Sequence, residues 1–158
     1  GHGMKKQALS LVFCMLLLCA GCAPSAQSSG QTPSDGQQEE SMRIVITAGD
    51  DVFYATAEQN ETARAFAARL PLTLGMSELN GNEKYCYLNE SLPSSPVRVG
   101  QISAGDLMLY GSSCIVLFYE SFSTSYSYTR IGSVDDPAGL AQALGGGFVS
   151  VTFALSEE

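Results

Sequence analysis

Residues 105–132 read GDLMLYGSSCIVLFYESFSTSYSYTRIG, and this stretch decides the fold class. Three segments rich in aliphatic, β-branched and aromatic residues lie within it, and such composition is typical of β-strands. The first two segments are broken near Gly111 and Ser112, and the last two are joined around Ser123 to Ser125. Turn-forming residues at both points predict two successive hairpins.

The same alternation of strands and turns continues on both sides of that stretch. Residues 42–57 (MRIVITAGDDVFYATA) predict a hairpin around AGDD, and residues 72–79 and 84–88 predict two strands joined by the turn NGNE. The segment at 89–106 carries three turn clusters and is predicted to be a long surface loop with a short extended piece at Val97 to Val99. The final run, FVSVTFAL, alternates apolar and polar residues as a half-buried strand does.

Two helices are predicted between these strands. The first lies in NETARAFAARLPL, where Asn60 is a good N-cap, apolar residues recur at helical spacing and Pro71 ends the helix. The second lies in DDPAGLAQAL, capped by Asp135 or Asp136 and ended by the glycines from Gly145. About eight strands with two short helices indicate a mainly β protein, a small closed or nearly closed β-barrel whose open ends the helices cover.

The order of these elements resembles the cyclophilin barrel. In that family a TAENF-like helix follows the first hairpin, as TARAF does here, and a segment similar to IGSV…GLAQAL leads into the second helix. The stretches LPLTLGMSELNGNEKYCYL and GDLMLYGSSCIVLFYESFSTSYSYTRIG are more similar still to bacterial cyclophilin-like domains whose function is not established. The resemblance covers residues 42–155 and implies a cyclophilin-like domain over residues 42–158, folded as a cyclophilin-like β-barrel.

The resemblance does not by itself imply catalysis. Cyclophilins that isomerise prolyl peptide bonds use an arginine set among Phe, Gln, Trp and His residues. The strand expected to carry that arginine is KYCYL here and has none; the chain has no Trp, and its one histidine is His2. Ser113 and Ile115 stand where the family has its Gln-x-Phe pair. Arg98 and Arg130 are the remaining candidates, so a peptidyl-prolyl cis-trans isomerase with a non-standard active site is the alternative function.

No catalytic group is predicted among the many serines. An activated serine needs a base held beside it, and without histidine only Lys84 is available, with nothing in the sequence to place it there. No cofactor is implied, and no metal site, because the domain lacks histidine and a CxxC pair. Cys114, which opens the apolar run CIVLFY, is favoured as a buried free thiol, and a disulfide with Cys86 stays open.

Ligand binding is the more direct interpretation of the tyrosine-rich segments. Strand alternation places Tyr85 and Tyr87 on one face of their strand, and Tyr126, Tyr128 and Arg130 on one face of theirs. Aromatic faces bring contact area and hydroxyl groups fix orientation, so these faces suit a peptide or small-molecule ligand. The alternative is that the tyrosines only pack at the barrel ends. The full set of ligand-binding candidates is Asn80, Glu83, Tyr85, Tyr87, Ser113, Tyr126, Tyr128 and Arg130.

The N-terminal segment predicts export. GHG at residues 1–3 precedes Met4 and is interpreted as a tag remnant. Residues 4–21 contain two lysines, an apolar run too short for an ordinary membrane-spanning helix, and small residues, which is the pattern of a secretory signal. The CAGC that closes this segment resembles the bacterial lipobox, and the resemblance implies a lipoprotein signal peptide with lipidation of Cys22. Residues 22–41 have no aromatic or large aliphatic side chain, so they are predicted to be a disordered tether.

The charge balance argues against one class of partner and favours a location. Without the two signal-peptide lysines, the chain has six basic and sixteen acidic residues, so it lacks the basic surface of a nucleic-acid-binding protein. We expect an exported protein of the bacterial cell envelope, held to the membrane only through the lipid at Cys22. A binding module is the first hypothesis for its function, and a part of a larger envelope assembly is a further one; the oligomeric state stays open.

Overall fold

Eight antiparallel strands close into a barrel in the part of the chain that the computed structural model describes, residues 41–157. In chain order the elements are β1 (Arg43–Ala48), β2 (Asp51–Ala57), α1 (Glu61–Ala67), β3 (Leu72–Leu79), β4 (Glu83–Tyr87), β5 (Val97–Arg98), β6 (Gln101–Ile102), β7 (Asp106–Tyr110), β8 (Cys114–Phe118), β9 (Phe122–Ser123), β10 (Ser127–Val134), α2 (Leu140–Leu144) and β11 (Val149–Leu155). Around the ring the strands follow the order β2, β1, β11, β3, β4, β8, β7 and β10, and β10 pairs with β2 to complete it. The closed β-barrel with two short helices that the sequence predicts is confirmed.

The predicted hairpin between the strands now numbered β8 and β10 is wrong. β8 pairs with β4 along one edge and with β7 along the other, so it has no free edge for β10. β10 pairs instead with β7 and closes the ring on β2. Part of the polar segment between β8 and β10 forms β9, which pairs with β6: Gln101 lies opposite Ser123, and Ile102 lies opposite Phe122.

Both faces of β8 are buried, which divides the hydrophobic residues into two clusters. Ile115 and Leu117 belong to the main core inside the barrel. The residues that alternate with them point to the outer face, because successive side chains of a strand project to opposite sides. These outward residues form a second cluster with side chains from neighbouring elements: Ile102, Met108, Cys114, Val116, Phe118 and Tyr128.

The first helix is positioned as predicted. The side-chain oxygen of Asn60 accepts a hydrogen bond from the backbone amide of Ala63 at 2.8 Å, which is the N-cap interaction. Phe66 is fully buried and meets the ring of Phe153 edge to face at 5.6 Å between ring centroids. α1 is therefore held to the barrel core by the edge-to-face contact of the two rings as well as by the burial of apolar surface.

The second helix is shorter than predicted. It begins after Gly139, whose φ of 82° is left-handed, and no side chain caps it. The carboxylate of Asp135 accepts a hydrogen bond from Arg43 at 2.5 Å, so this acid joins two distant strand ends and does not cap a helix. Asp136 accepts from the backbone amide two residues further on, in the turn before α2. Gly145 ends the helix as predicted.

The start of β1 and the end of β11 lie side by side. β1 and β11 are antiparallel neighbours, with Ile44 opposite Leu155. Just beyond that pair, the backbone amide of Ser156 donates a hydrogen bond to the carbonyl oxygen of Arg43 at 2.9 Å. The predicted tag at residues 1–3, the signal peptide, Cys22 and all of the tether except Ser41 lie outside the described residues.

Neither helix within residues 41–157 is long and apolar enough to cross a bilayer.

The closure between β10 and β2 depends on Gly132. This residue lies opposite Ala57 of β2 and Leu107 of β7, next to a register shift in β10. A Cβ atom at this position would lie 2.6 Å from the carbonyl oxygen of Thr56, a distance at which the backbone has to move. The ring therefore requires a residue without a side chain where it closes.

We expect Gly132→Ala to lower the free energy of unfolding by about 1–3 kcal/mol, the usual cost of overpacking. Gly146→Ala is the matched control, because a Cβ atom there meets nothing within 4 Å. Urea denaturation of the parent and both variants measures the difference. An unchanged midpoint for Gly132→Ala would mean that β2 and β10 separate without cost.

Candidate functional site

A cleft of about 660 Å³ opens on the outer face of the barrel, beside β4, β7 and β8. Its volume falls within the range of about 300–1,000 Å³ that is usual for small-molecule sites. Five tyrosines line it: Tyr85, Tyr87, Tyr110, Tyr126 and Tyr128. The other described lining residues are Leu79, Asn80, Asn82, Glu83, Cys114, Val116, Phe122, Ser123, Thr124 and Ser125.

One wall of the cleft is the outer face of β4. Glu83, Tyr85 and Tyr87 share that face because they alternate along the strand. The two tyrosine rings lie 6.1 Å apart between centroids, edge to face. The register of β4 with β8 sets Tyr85 opposite Val116 and Tyr87 opposite Cys114, so the outer face of β8 forms the floor.

The opposite wall comes from β7 and from the start of β10. The Tyr110 ring lies 6.1 Å from the Tyr126 ring and 5.7 Å from the Tyr128 ring, between centroids. Tyr128 is buried against Phe118 at 5.5 Å, whereas Tyr126 is 61% exposed, and Tyr87 across the cleft is 64% exposed. Each wall therefore has a buried base and an exposed aromatic rim.

Glu83 is the one charged residue among the described lining residues. It is only 9% exposed, and none of the ion pairs within residues 41–157 includes it. Burial, and after it the negative charge of Glu78, raises the pKa of the Glu83 carboxyl above its ordinary value. The cleft thus contains a buried acid whose charge has no cation beside it in the described part of the chain.

Lys84, the next residue, points into the barrel and not into the cleft. Its ammonium is fully buried, lies 2.6 Å from a carboxylate oxygen of Glu78, and donates a hydrogen bond to the carbonyl oxygen of Gly147 at 2.6 Å. The Tyr119 hydroxyl donates to the other oxygen of Glu78 at 2.6 Å. Burial alone would raise the pKa of Glu78, but its hydrogen bonds with Lys84 and Tyr119 lower it. Lys84 is therefore engaged in a structural ion pair and is not a base for any serine.

The two domain cysteines are free thiols. Cys114 lies on the floor of the cleft, and burial raises its pKa to about 11, so the sulfur is protonated at neutral pH. Cys86 projects from the opposite face of β4, packs against the main core and also has a pKa raised by burial. A disulfide between them is absent within residues 41–157, which is consistent with their positions on opposite faces of the sheet.

Two of the predicted binding residues lie outside the cleft. Ser113 is in the turn between β7 and β8 and does not line it. Arg130 lines a separate cleft of about 460 Å³, with its guanidinium 3.8 Å from the Asp106 carboxylate. Strand alternation predicts that the side chains of Arg130 and Tyr128 share one face of β10. It does not predict which side chains pack on that face, and here Ile102 belongs to the same cluster as Tyr128. The cleft brings together the other six candidates: Asn80, Glu83, Tyr85, Tyr87, Tyr126 and Tyr128.

Sequence reasoning missed several lining residues. Tyr110 and Cys114 face each other across the β7–β8 hairpin, and that pairing follows from the turn at Gly111 to Ser113. The hairpin itself was predicted, so its register was the signal that pointed to Tyr110. Asn82 and Val116 had no comparable signal.

Within residues 41–157, no three His, Cys, Asp or Glu side chains lie close enough together to hold a metal ion.

The fold and the cleft define the class of this protein: a closed antiparallel β-barrel with an aromatic cleft on its outer face. Residues 46–154, well over half of the chain, match the cyclophilin-like family. The chain belongs to the cyclophilin-like family, as its sequence motifs predict.

Comparison with solved structures agrees on the fold. The solution structure of a hypothetical protein from Archaeoglobus fulgidus is similar, with a TM-score of 0.50 and 18% sequence identity over 75% of this chain and 98% of that one. At this level of identity the likeness shows the fold alone. No curated protein sequence matches the chain significantly.

We expect Glu83→Gln to stabilise the domain at neutral pH. Because the folded state raises the pKa of Glu83, the folded state favours the protonated carboxyl, and stability is lost as the pH rises through that pKa. Glutamine keeps the shape without the charge, so the melting temperature should increase at pH 7, and the difference should shrink toward pH 4.

Calorimetry across that pH range measures the effect. Glu120→Gln, at an exposed position outside the cleft, is the control and should change little. A lower melting temperature for Glu83→Gln at pH 7 would mean that contacts with the carboxylate outweigh its burial.

Proposed function

We propose that this protein is a lipid-anchored, extracytoplasmic binding module that holds a peptide or small molecule in the tyrosine-lined cleft. The observation that carries the proposal is the combination of five tyrosines and one buried carboxylate around an open volume of about 660 Å³. Tyrosine side chains supply large contact areas with few rotatable bonds, so they lose little entropy when a ligand binds.

The exposed rim supports binding over simple packing. Tyr87 and Tyr126 each expose more than half of their side chain, so packing within the domain does not account for them. Ser123, Thr124 and Ser125 lie at the same rim and offer hydroxyl groups to a ligand. An apolar floor with a few polar groups above it is the usual composition of a small-molecule site.

Isomerisation of prolyl bonds is the alternative, and the cleft favours it less. Weakening the double-bond character of an amide, against a barrier of about 20 kcal/mol, is helped by a cation near that amide. The described lining of the cleft contains no arginine or lysine. Arg130 lines the second cleft, and Arg98, on β5 opposite Ser127, is not among the described lining residues of the tyrosine cleft.

Anchoring rests on the sequence of the N-terminal segment. The lysines, apolar run and CAGC at residues 4–22 are the features of a lipoprotein signal, and the excess of acidic residues would keep the domain away from anionic headgroups. A binding module held in this way samples ligands close to the membrane surface. Membership of a larger envelope assembly is compatible with the same arrangement.

Replacing either rim tyrosine should weaken ligand capture without unfolding the protein. A library of fragments and short peptides screened by NMR should give hits whose shifts map to the cleft. Tyr87→Ala and Tyr126→Ala should each weaken those hits about tenfold, as loss of an aromatic anchor does, with little change in melting temperature. Arg130→Ala, at the second cleft, is the control.

Two results would count against this function. One is a set of hits that maps away from the tyrosines and survives both substitutions. The other is catalysed isomerisation of a proline peptide that is lost in Arg98→Ala or Arg130→Ala, which would favour the alternative.

The lipid anchor predicts a change in cell fractionation. When the chain from Met4 is expressed in a bacterial host, we expect it in the membrane fraction, and Cys22→Ser should move most of it to the soluble or secreted fraction. Cys14→Ser, in the apolar run outside CAGC, is the matched control and should leave the distribution unchanged. Membrane association that persists in Cys22→Ser would argue against lipidation.

A further inference from the structure

We propose that the tyrosine-lined cleft selects a ligand with an organic cation, an ammonium or guanidinium group on an apolar body, and that Glu83 is its counter-charge. This inference rests on the proposed binding function and specifies the chemistry of the ligand. It follows from three features of the cleft: an unbalanced charge, a surrounding of aromatic rings, and an acceptor without a donor.

Within residues 41–157, no lysine or arginine forms an ion pair with Glu83. The nearest lysine in sequence is Lys84. Its ammonium forms an ion pair with Glu78 and donates a hydrogen bond to the carbonyl oxygen of Gly147 inside the barrel. Arg130 lies beside Asp106 at the other cleft. A buried carboxylate without a cation is costly, and a bound cation would remove that cost.

The aromatic walls suit the same ligand. A cation within about 6 Å of a ring centroid is attracted by the electron-rich face of the ring. Tyr85 and Tyr87 are arranged edge to face, as are Tyr110 and Tyr126, so adjacent rings turn their faces in different directions around the cleft. Aromatic rings grouped in one site are used to recognise organic cations, and here the group includes an acid in the same lining.

A second polar group at the cleft also lacks a partner. Asn82 lines the cleft, and its buried side-chain oxygen has no hydrogen-bond donor among the described residues. Asn82 is adjacent to Glu83 in the chain, but its oxygen is closed to solvent in the free protein, so a ligand would meet it only after the side chain turns toward the cleft. Ammonium and guanidinium groups carry several N–H donors and no acceptor, which matches this deficit.

The apolar part of the ligand follows from the floor. Val116 and Leu79 line the cleft together with Phe122, and these side chains have nothing to offer a small hydrated ion. Burial of hydrocarbon against them contributes about 25 cal/mol for each Å² removed from water. A free amine and a lysine or arginine side chain of a peptide both combine a cation with an apolar body, so both sources are tested.

The test uses the full chain and two matched pairs of probes. Benzylammonium is compared with benzyl alcohol, which has a similar shape without the charge. The peptide Ala-Lys-Ala, with blocked ends, is compared with blocked Ala-Met-Ala. Dissociation constants are measured by NMR titration for the parent, Glu83→Gln and Glu120→Gln, the last of which makes the same charge change outside the cleft.

We expect at least one cationic probe to bind about tenfold or more tightly than its neutral partner, as a charge-assisted contact implies. Glu83→Gln should weaken the cationic probe far more than the neutral one and so remove that preference, whereas Glu120→Gln should keep it. Tyr126→Leu should weaken the cation several-fold more than the neutral probe. The pair that shows the preference distinguishes a free amine from a peptide side chain.

Equal binding of cationic and neutral probes, or a preference that survives Glu83→Gln, would overturn the inference while the binding function stands. Failure of all four probes to bind would also overturn it, and the fragment library then decides separately whether the cleft binds anything. A cooperative melting transition, at a temperature no lower than that of the parent, shows that each variant is folded when it is titrated.

Discussion

Strand β8 has neither a free edge nor an exposed face, and the rest of the structure is arranged around that constraint. Its inner face fills the barrel and its edges are paired, so its outer face has to be covered by side chains from outside the ring. Ile102 of β6 and Phe122 of β9 cover one part. Over Val116 and Cys114 the covering side chains are tyrosines, which leave a cleft between them. The candidate site is therefore the place where the second hydrophobic cluster remains open.

Strand β4 directs opposite charges into different environments. Lys84 points into the barrel, where Glu78 and the Gly147 carbonyl meet its ammonium at 2.6 Å. Glu83 points into the cleft, where no described cation accompanies it. The charge of Lys84 is therefore already balanced by Glu78, and this buried ion pair is a structural one. Burying a carboxylate without a cation costs free energy, and this cost is the reason for proposing that Glu83 meets a ligand.

Local signals predicted the local structure well, and long-range pairing less well. The Asn80–Gly81 turn has left-handed φ values of 56° and 69°, as the sequence NG indicates. Strand alternation next to this turn and near β10 grouped Tyr85 with Tyr87 and Tyr126 with Tyr128, and all four line the cleft. The start of α2 was missed because Asp135 binds Arg43, 92 residues away, which no helix rule includes. The pairing of β10 was missed because a turn between two strands does not require them to be neighbours. Arg130 lines a different cleft from Tyr128 because alternation gives the face of a residue but not what covers that face.

The side-by-side position of the start of β1 and the end of β11 has a mechanical consequence. Arg43 and Ser156 are joined by a backbone hydrogen bond, and β1 and β11 run antiparallel away from that point. Hydrogen bonds in an antiparallel ladder lie perpendicular to the strands. A force that pulls Arg43 and Ser156 apart therefore acts first along the hydrogen bond between them alone, and then along the next bond of the ladder. Under such traction the barrel would unzip bond by bond from the junction of its ends, before any whole strand was sheared from its neighbour.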